Sequence, residues 1–319
     1  MSASGDVSCP ACNEPLPATP SIRGGDRLHG IRGEFVVHIC AQCGSGRTLP
    51  YVAADRLGRL YPPSYNAFAM PPNPVLRVAA TGLFRWRYWR GLRRPPLAEL
   101  SPLMPSRLLD VGSGRGDLGL VLGDRSWRVT GVEPSREACE EANARGAPTL
   151  HGTLATVSRL LDGDFDAVLF QHSLEHVAEP LDDLRLAGKR LRPGGLVLVS
   201  LPNFGSWQAR RFGSNWFHLD LPRHRSHFTA RGIELLLRRA GLQPLRTNTS
   251  TSADGLPMSI QYRLFGERRY RSGFPLYASF AVTLATSPLT ALADRVAGAG
   301  DILHAVAGRP DRRPRPAGT

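Results

Sequence analysis

Leu108-Leu109-Asp110-Val111-Gly112-Ser113-Gly114-Arg115-Gly116-Asp117 is the stretch on which the reading of this chain turns. An apolar run ending in an acid reads as a buried parallel strand. The glycines, followed by Leu118, Leu120, Val121 and Leu122, read as a tight turn into a helix. Glycine at 112, 114 and 116 removes the Cβ atoms that would keep a ligand off the backbone. The helix start behind them offers unpaired N–H groups and the positive end of the helix dipole. A small molecule with an adenosine-like part is expected here.

Outward from this turn, strands are expected at Arg107–Val111, Arg128–Glu133, Thr149–His151, Phe165–Phe170 and Leu196–Leu201. Helices are expected near Asp117–Gly123, Arg136–Arg145, Leu154–Leu161, Leu181–Arg190 and Arg231–Ala240. Such alternation requires a parallel sheet covered on both faces. Gly241-Leu242 opens a further strand, and Ile302–Val306 is expected to close the sheet as a late edge strand. Glu133 ends the strand after the glycine turn, where an acid can accept both ribose hydroxyl protons of an adenosine. Phe165–Phe170 delivers Gln171 and His172 to the same carboxyl edge.

Residues from about 105 to 245 resemble a class I S-adenosylmethionine-dependent methyltransferase. The matching blocks are Asp110–Gly116, Gly131-Val132-Glu133-Pro134-Ser135, Phe165–Pro180 and Leu191-Arg192-Pro193-Gly194-Gly195. The resemblance implies an α/β fold with a Rossmann-like seven-stranded class I methyltransferase sheet and helices on both faces. It implies S-adenosyl-L-methionine as cofactor, held by Asp110, Gly112, Ser113, Gly114, Gly116, Glu133, Pro134, Thr153, Gln171 and His172. One position departs from the pattern: many relatives carry an acid near the start of the helix after strand three, where this chain has Gly152-Thr153-Leu154-Ala155. Thr153 or backbone is then left to meet the adenine amino group. Nicotinamide dehydrogenases share the strand logic, but their fingerprint ends Gly-x-x-Gly, unlike this Gly-x-Gly-x-Gly turn.

Methyl transfer needs an acceptor atom held in line with the sulfonium carbon, and usually a base. The segment after the fifth strand of that domain supplies candidates: Trp216-Phe217-His218-Leu219-Asp220-Leu221-Pro222-Arg223-His224-Arg225-Ser226-His227-Phe228-Thr229. His218, His224 and His227 are the candidate bases, and Thr229 is a candidate helix N-cap. The segment resembles small-molecule methyltransferases whose strand-five loop reads Pro-Asn and continues to Arg-His-x-x-His-Phe-Thr.

Cys9-x-x-Cys12 and Cys40-x-x-Cys43 are two knuckles, the second delivered by a strand over Glu34–Cys40 and followed by Gly44. With no secretory signal in Met1–Pro20, they read as a zinc-binding module with a structural Zn2+ on Cys9, Cys12, Cys40 and Cys43. Two disulfides, an iron–sulfur cluster or a free-thiol pair remain as alternatives. The expected organisation is a zinc-ribbon-like module at 1–50 and a connector with an Arg/aromatic-rich helix at 51–100. The methyltransferase domain follows at 101–308, with an insertion at about 255–298, and a disordered basic tail covers 309–319.

The net charge of +13, from 40 Lys+Arg against 27 Asp+Glu and nearly all Arg, favours anionic partners, although a GC-rich genome also converts Lys to Arg. Gly82–Arg94 interleaves Arg with aromatics, a pattern suited to nucleic acid, to anionic lipid or to a helix packed on the domain. Ser272–Ala293 carries no formal charge, yet Pro275, Pro288 and several hydroxyl residues make it a poor membrane span and a better interfacial or buried segment. The expectation is a cytoplasmic enzyme, with peripheral membrane contact left open, acting on a small-molecule or glycan acceptor that is lipid-linked in one version. An RNA methyltransferase gripping its target with the cysteine module and basic helix is the alternative.

Overall fold

The computed structural model describes residues 7–52, 60, 92–103, 106–123, 127–266, 285, 288–297 and 299–310. Three short strands come first: β1 (Ile22–Gly24), β2 (Phe35–Ile39) and β3 (Gly46–Leu49). The α/β part then runs β4 (Arg107–Val111), α1 (Asp117–Gly123), β5 (Arg128–Glu133), α2 (Arg136–Ala144), β6 (Thr149–His151), α3 (Leu154–Val157) and β7 (Phe165–Gln171). It continues with α4 (Pro180–Arg190), β8 (Leu191–Pro202), α5 (Trp207–Phe212), β9 (Ser226–His227), α6 (Ala230–Arg239), β10 (Gln243–Ser250), α7 (Gly255–Phe265) and β11 (Ile302–Gly308).

The main sheet has seven strands in the order β6-β5-β4-β7-β8-β11-β10. β4 to β8 are parallel, while β11 runs antiparallel to both its neighbours. The pleat sends Leu109, Val111, Val168, Phe170, Val197 and Val199 to one face, under Leu184 and Ala187 of α4 and Ile233, Leu236 and Leu237 of α6. Leu108, Ala167, Leu169, Leu198 and Val306 face the other way, onto Leu118 and Leu122 of α1 and onto Leu97 and Leu100. Burial on both faces explains why the central strands read as unbroken apolar runs.

Two details differ from the sequence reading. The helix expected at Leu154–Leu161 ends at Val157 and tightens into a 3-10 turn, Ser158–Leu160. Ile302–Val306 was expected at the sheet edge; β11 instead inserts between β8 and β10. Every residue of β11 is buried, so the strand needs a neighbour on each side. β10, with Gln243, Leu245 and Arg246 at its exposed positions, takes the edge.

The cysteine-bearing segment forms a second sheet, in the order β1-β2-β3-β9. Its fourth strand comes from the loop after β8, with Gly46 opposite His227 and Arg47 opposite Ser226. Gly82–Arg94 lies almost wholly outside the described residues, as do Ser272–Leu284 and the basic tail. Residues 288–296 are helical, with Leu289, Leu292 and Val296 exposed. Among the described residues no helix is long and apolar enough to cross a membrane.

Candidate active site

The glycine turn sits at the carboxyl edge of β4 with Gly112 at φ +80° and Gly116 at φ +73°. A Cβ on Gly112 would lie 2.5 Å from Ser173 Cβ, and one on Gly116 would lie 2.4 Å from Ala147 Cβ. Both positions therefore require glycine for conformation and for space. Gly114 differs, because a Cβ there would meet nothing within 4 Å. The open side of the turn is at Gly114, where a ligand could lie against the chain. Ser113 Oγ is buried beside it with no hydrogen-bond partner.

Glu133 ends β5 next to this turn. One of its carboxylate oxygens accepts from Gly114 N–H and the other from Ser135 N–H, each at 2.8 Å. Each oxygen keeps a second lone pair, so the pair of them could take two ribose hydroxyls. Burial pushes the Glu133 carboxyl up despite those donors. Asp110, wholly buried behind the turn, is pushed up to about 7, by desolvation first and by the Glu133 charge second. Thr153 caps α3 through a reciprocal bond pattern with Thr156. Gln171 ends β7, and His172 holds a left-handed backbone, φ +54°, with its N–H donated to Ser200 C=O at 2.7 Å. That conformation is unfavourable for a side chain bearing Cβ and marks the strand edge.

From His172 the chain turns into a second site. Ser173 Oγ donates to Val111 C=O at 2.6 Å, locking this turn onto the glycine loop. Two residues on, Glu175 is buried with neither carboxylate oxygen hydrogen-bonded. His172 Nδ1 is 3.6 Å from it and His224 Nε2 is 4.0 Å away. Glu175 lines a crevice with Leu201, Phe204, Trp216, His224, Ser226, His227 and Phe228. Trp216 Nε1 and Ser226 Oγ are likewise buried without partners. Unpaired buried polar groups cost about 1–3 kcal/mol each, so their convergence marks this cluster as a candidate functional one, although the crevice as it stands is closed, without room for a water-sized occupant. Glu175, His176 and His224 also bring one donor atom each within 4.8 Å.

The three candidate bases are not equivalent. His218 Nε2 lies 3.0 Å from Asp301 and 3.1 Å from Ser252 Oγ. Burial alone would lower His218, but the Asp301 carboxylate outweighs it and raises the ring. His227 Nε2 is engaged by Thr48 Oγ1 at 2.8 Å, and burial lowers that ring to about 3. His224 donates Nδ1–H to His218 C=O at 2.9 Å, which leaves the Nε2 lone pair toward Glu175. Burial, then the neighbouring His176 and His227, hold His224 well below the usual histidine range. Asp220 Oδ2 stands 3.9 Å from His224 Nε2, as near as Glu175, while both Asp220 oxygens accept hydrogen bonds from Arg223.

The cysteines converge as the spacing predicts. Cys9 and Cys43 Sγ atoms are 3.5 Å apart, as are those of Cys12 and Cys40, and all four lie within 4.8 Å of one another. A tetrahedral zinc with bonds of about 2.3 Å needs sulfurs about 3.8 Å apart. The thiol set fits such an ion.

Sequence reasoning passed over Glu175, Trp216 and Ser226 as site groups. The signal available for Glu175 was an acid enclosed by Leu174 and Val177 at the carboxyl edge of a buried strand. Trp216 and Ser226 join it only through the path of the loop after β8.

The strand order, the glycine turn and the strand-end acid define a class I S-adenosylmethionine-dependent methyltransferase. Residues 85–247, just over half of the chain, match the model of the methyltransferase domain family, and the chain belongs to that family. It is 36% identical over 109 residues to a ubiquinone biosynthesis O-methyltransferase of a Caulobacter species, covering 32% of this chain and 43% of that protein. The corresponding enzyme of Methylocella silvestris is 34% identical over 138 residues, with 41% and 53% covered. The chain thus spans about half the length of the curated relatives it matches. Among solved structures, a methyltransferase of Thermotoga maritima is 20% identical, covering 74% of this chain and 96% of that one at a TM-score of 0.46.

Proposed function

We propose that this protein transfers the methyl group of S-adenosylmethionine to a hydroxyl of a small-molecule or sugar acceptor, with His224 as general base. The observation that carries this reading is the turn Ser173–Glu175. Ser173 packs on the glycine loop, where Glu133 waits, and Glu175 lines the crevice of unpaired polar groups. The four-residue turn Ser173–His176, closed by His176 N–H to Ser173 C=O, therefore joins the glycine loop to the crevice. The curated relatives, named as O-methyltransferases of ubiquinone biosynthesis, support oxygen as the receiving atom.

In this reading the open face at Gly114 and the Glu133 oxygens hold the cofactor, with Ser113, Pro134, Thr153, Gln171 and His172 around it. The cofactor supplies an electrophilic methyl on a sulfonium. His224 Nε2 would take the hydroxyl proton of the acceptor as its oxygen receives the methyl group and the sulfonium leaves as the neutral thioether. The low proton affinity of His224 keeps its lone pair available at neutral pH, with Glu175 and Asp220 each about 4 Å from Nε2. Cys9, Cys12, Cys40 and Cys43 would hold a structural zinc: four protein ligands leave no open position for chemistry.

The test is calorimetry with S-adenosylhomocysteine on wild type, Glu133→Gln and His224→Asn. Wild type and His224→Asn should bind alike, and Glu133→Gln should bind about 10- to 100-fold more weakly, the loss of one or two hydrogen bonds to a charged group. No heat of binding with folded wild-type protein would end this reading.

A further inference from the structure

The cysteine-bearing sheet is built into the acceptor side of the protein, and one residue concentrates that connection. Thr48 is a buried threonine on β3, five residues after Cys43. Its backbone N–H donates to Arg225 C=O at 3.0 Å. Its hydroxyl lies 2.7 Å from His224 C=O and 2.8 Å from His227 Nε2. A carbonyl can only accept, so the single hydroxyl proton of Thr48 is committed to His224. The contact with His227 must then run the other way, with His227 Nε2–H as donor and Thr48 Oγ1 as acceptor. A neutral imidazole has one N–H, so this contact assigns the His227 tautomer: proton on Nε2, lone pair on Nδ1.

The same loop is held at further points by the cysteine-bearing segment. Thr229 Oγ1 donates to Cys43 C=O at 2.7 Å, and Ser45 Oγ accepts from Thr229 N–H. Arg223, with no exposed side-chain surface, bridges Asp26 on one side and Asp220 on the other. Phe204, which lines the crevice, rests 3.3 Å from where a Gly46 Cβ would stand. None of these contacts touches the glycine loop or Glu133.

We infer that Thr48 is a positioning residue for the acceptor half of the site. It pins the main chain at His224 and sets the tautomer of His227, so the cysteine module acts on the acceptor pocket and not on the cofactor cradle. The inference rests on the methyltransferase reading for its chemical meaning, while the hydrogen-bond directions stand on geometry alone. It gives the module a role within the same chain's active site, distinct from gripping a nucleic acid.

The experiment is long-range 1H–15N spectroscopy of the histidine rings in the full chain, combined with S-adenosylhomocysteine calorimetry, on wild type, Thr48→Val and Thr48→Ser. Wild type should show His227 protonated at Nε2. Thr48→Val should redistribute that proton between the two nitrogens and shift the His224 ring signals, with affinity for S-adenosylhomocysteine unchanged within about twofold. Thr48→Ser, which keeps the hydroxyl, should restore the wild-type spectrum. A wild-type His227 protonated at Nδ1 overturns the inference without recourse to any variant. Unchanged ring signals in Thr48→Val overturn it too, as does a tenfold loss of S-adenosylhomocysteine affinity in that variant. Wild-type protein that shows the Nε2 tautomer but binds no S-adenosylhomocysteine would sink the methyltransferase reading and leave the positioning contact intact.

Discussion

Gly112 shows how much one residue carries. Its positive φ and its approach to Ser173 are two separate reasons for glycine, and they couple the glycine loop to the turn bearing Glu175. Gly112→Ala should therefore do more than strain the backbone, which by itself costs about 1–2 kcal/mol. The added methyl must displace Ser173 and break its bond to Val111. The expected result is at least a tenfold loss of S-adenosylhomocysteine affinity together with a lower Tm, read by calorimetry and thermal denaturation. Ser173→Gly in the Gly112→Ala background should recover part of both. The glycines were legible in the sequence because their spacing is local. Glu175 was not, since its meaning depends on Trp216 and Ser226, brought opposite it by a loop of another strand.

Among the elements, the segment between β8 and α6 does the most varied work. Its residues wall the crevice, donate β9 to the cysteine-bearing sheet and carry Arg223. The Arg223 guanidinium satisfies two carboxylates at once, and Asp26 in turn accepts from the N–H groups of Leu28, His29 and Ile31. Burial opposes the charge on Asp26, but Arg223 outweighs it and holds the carboxyl low. Removing the cation alone strands a buried anion. Arg223→Met is expected to destabilise the protein by about 3–5 kcal/mol in chemical denaturation. A loss under about 1 kcal/mol would show that the latch adds nothing to the joining of the two sheets. The structure assigns Asp220 to Arg223, because a full positive charge at 2.6 Å competes better for a carboxylate than a neutral ring.

For the whole molecule, the buried histidines set how stability responds to acid. His227 is lowered to about 3, His304 to about 4, and His224 is lowered as well, in each case chiefly by burial. In the unfolded chain all three take up a proton near pH 6.5. Between that pH and their folded values the unfolded state binds more protons, so the histidine contribution to stability is complete above about 6.5 and drains away as the pH falls toward 3. His218, raised by Asp301, responds only above pH 6.5, whereas Asp110 at about 7, Asp183 at about 6 and the raised Glu133 take up protons first in the folded state and add stability as the pH falls through the same range. The histidine contribution is therefore read by difference: between pH 6.5 and pH 4, His304→Gln should lose stability less steeply than wild type, by roughly 1 kcal/mol per pH unit. Equal slopes for the two proteins would mean that the His304 ring is not buried in neutral form.

What the sequence determined on its own was the seven-stranded α/β layer and the glycine turn and acid at its carboxyl edge. Those signals are short-range: apolar strands, glycines at a turn, an acid at a strand end and paired cysteines, each readable within a dozen residues. What only the tertiary structure decided was the wiring across the chain. β11 settles inside the sheet because its whole surface is buried, and Thr48 meets His224 and His227 because β3 pairs with β9. Of three histidines equivalent in the sequence, His218 is tied up by Asp301 and His227 by Thr48. His224 alone turns a lone pair toward the unpaired carboxylate of Glu175. Such contacts join residues far apart in the chain, and no local pattern specifies them.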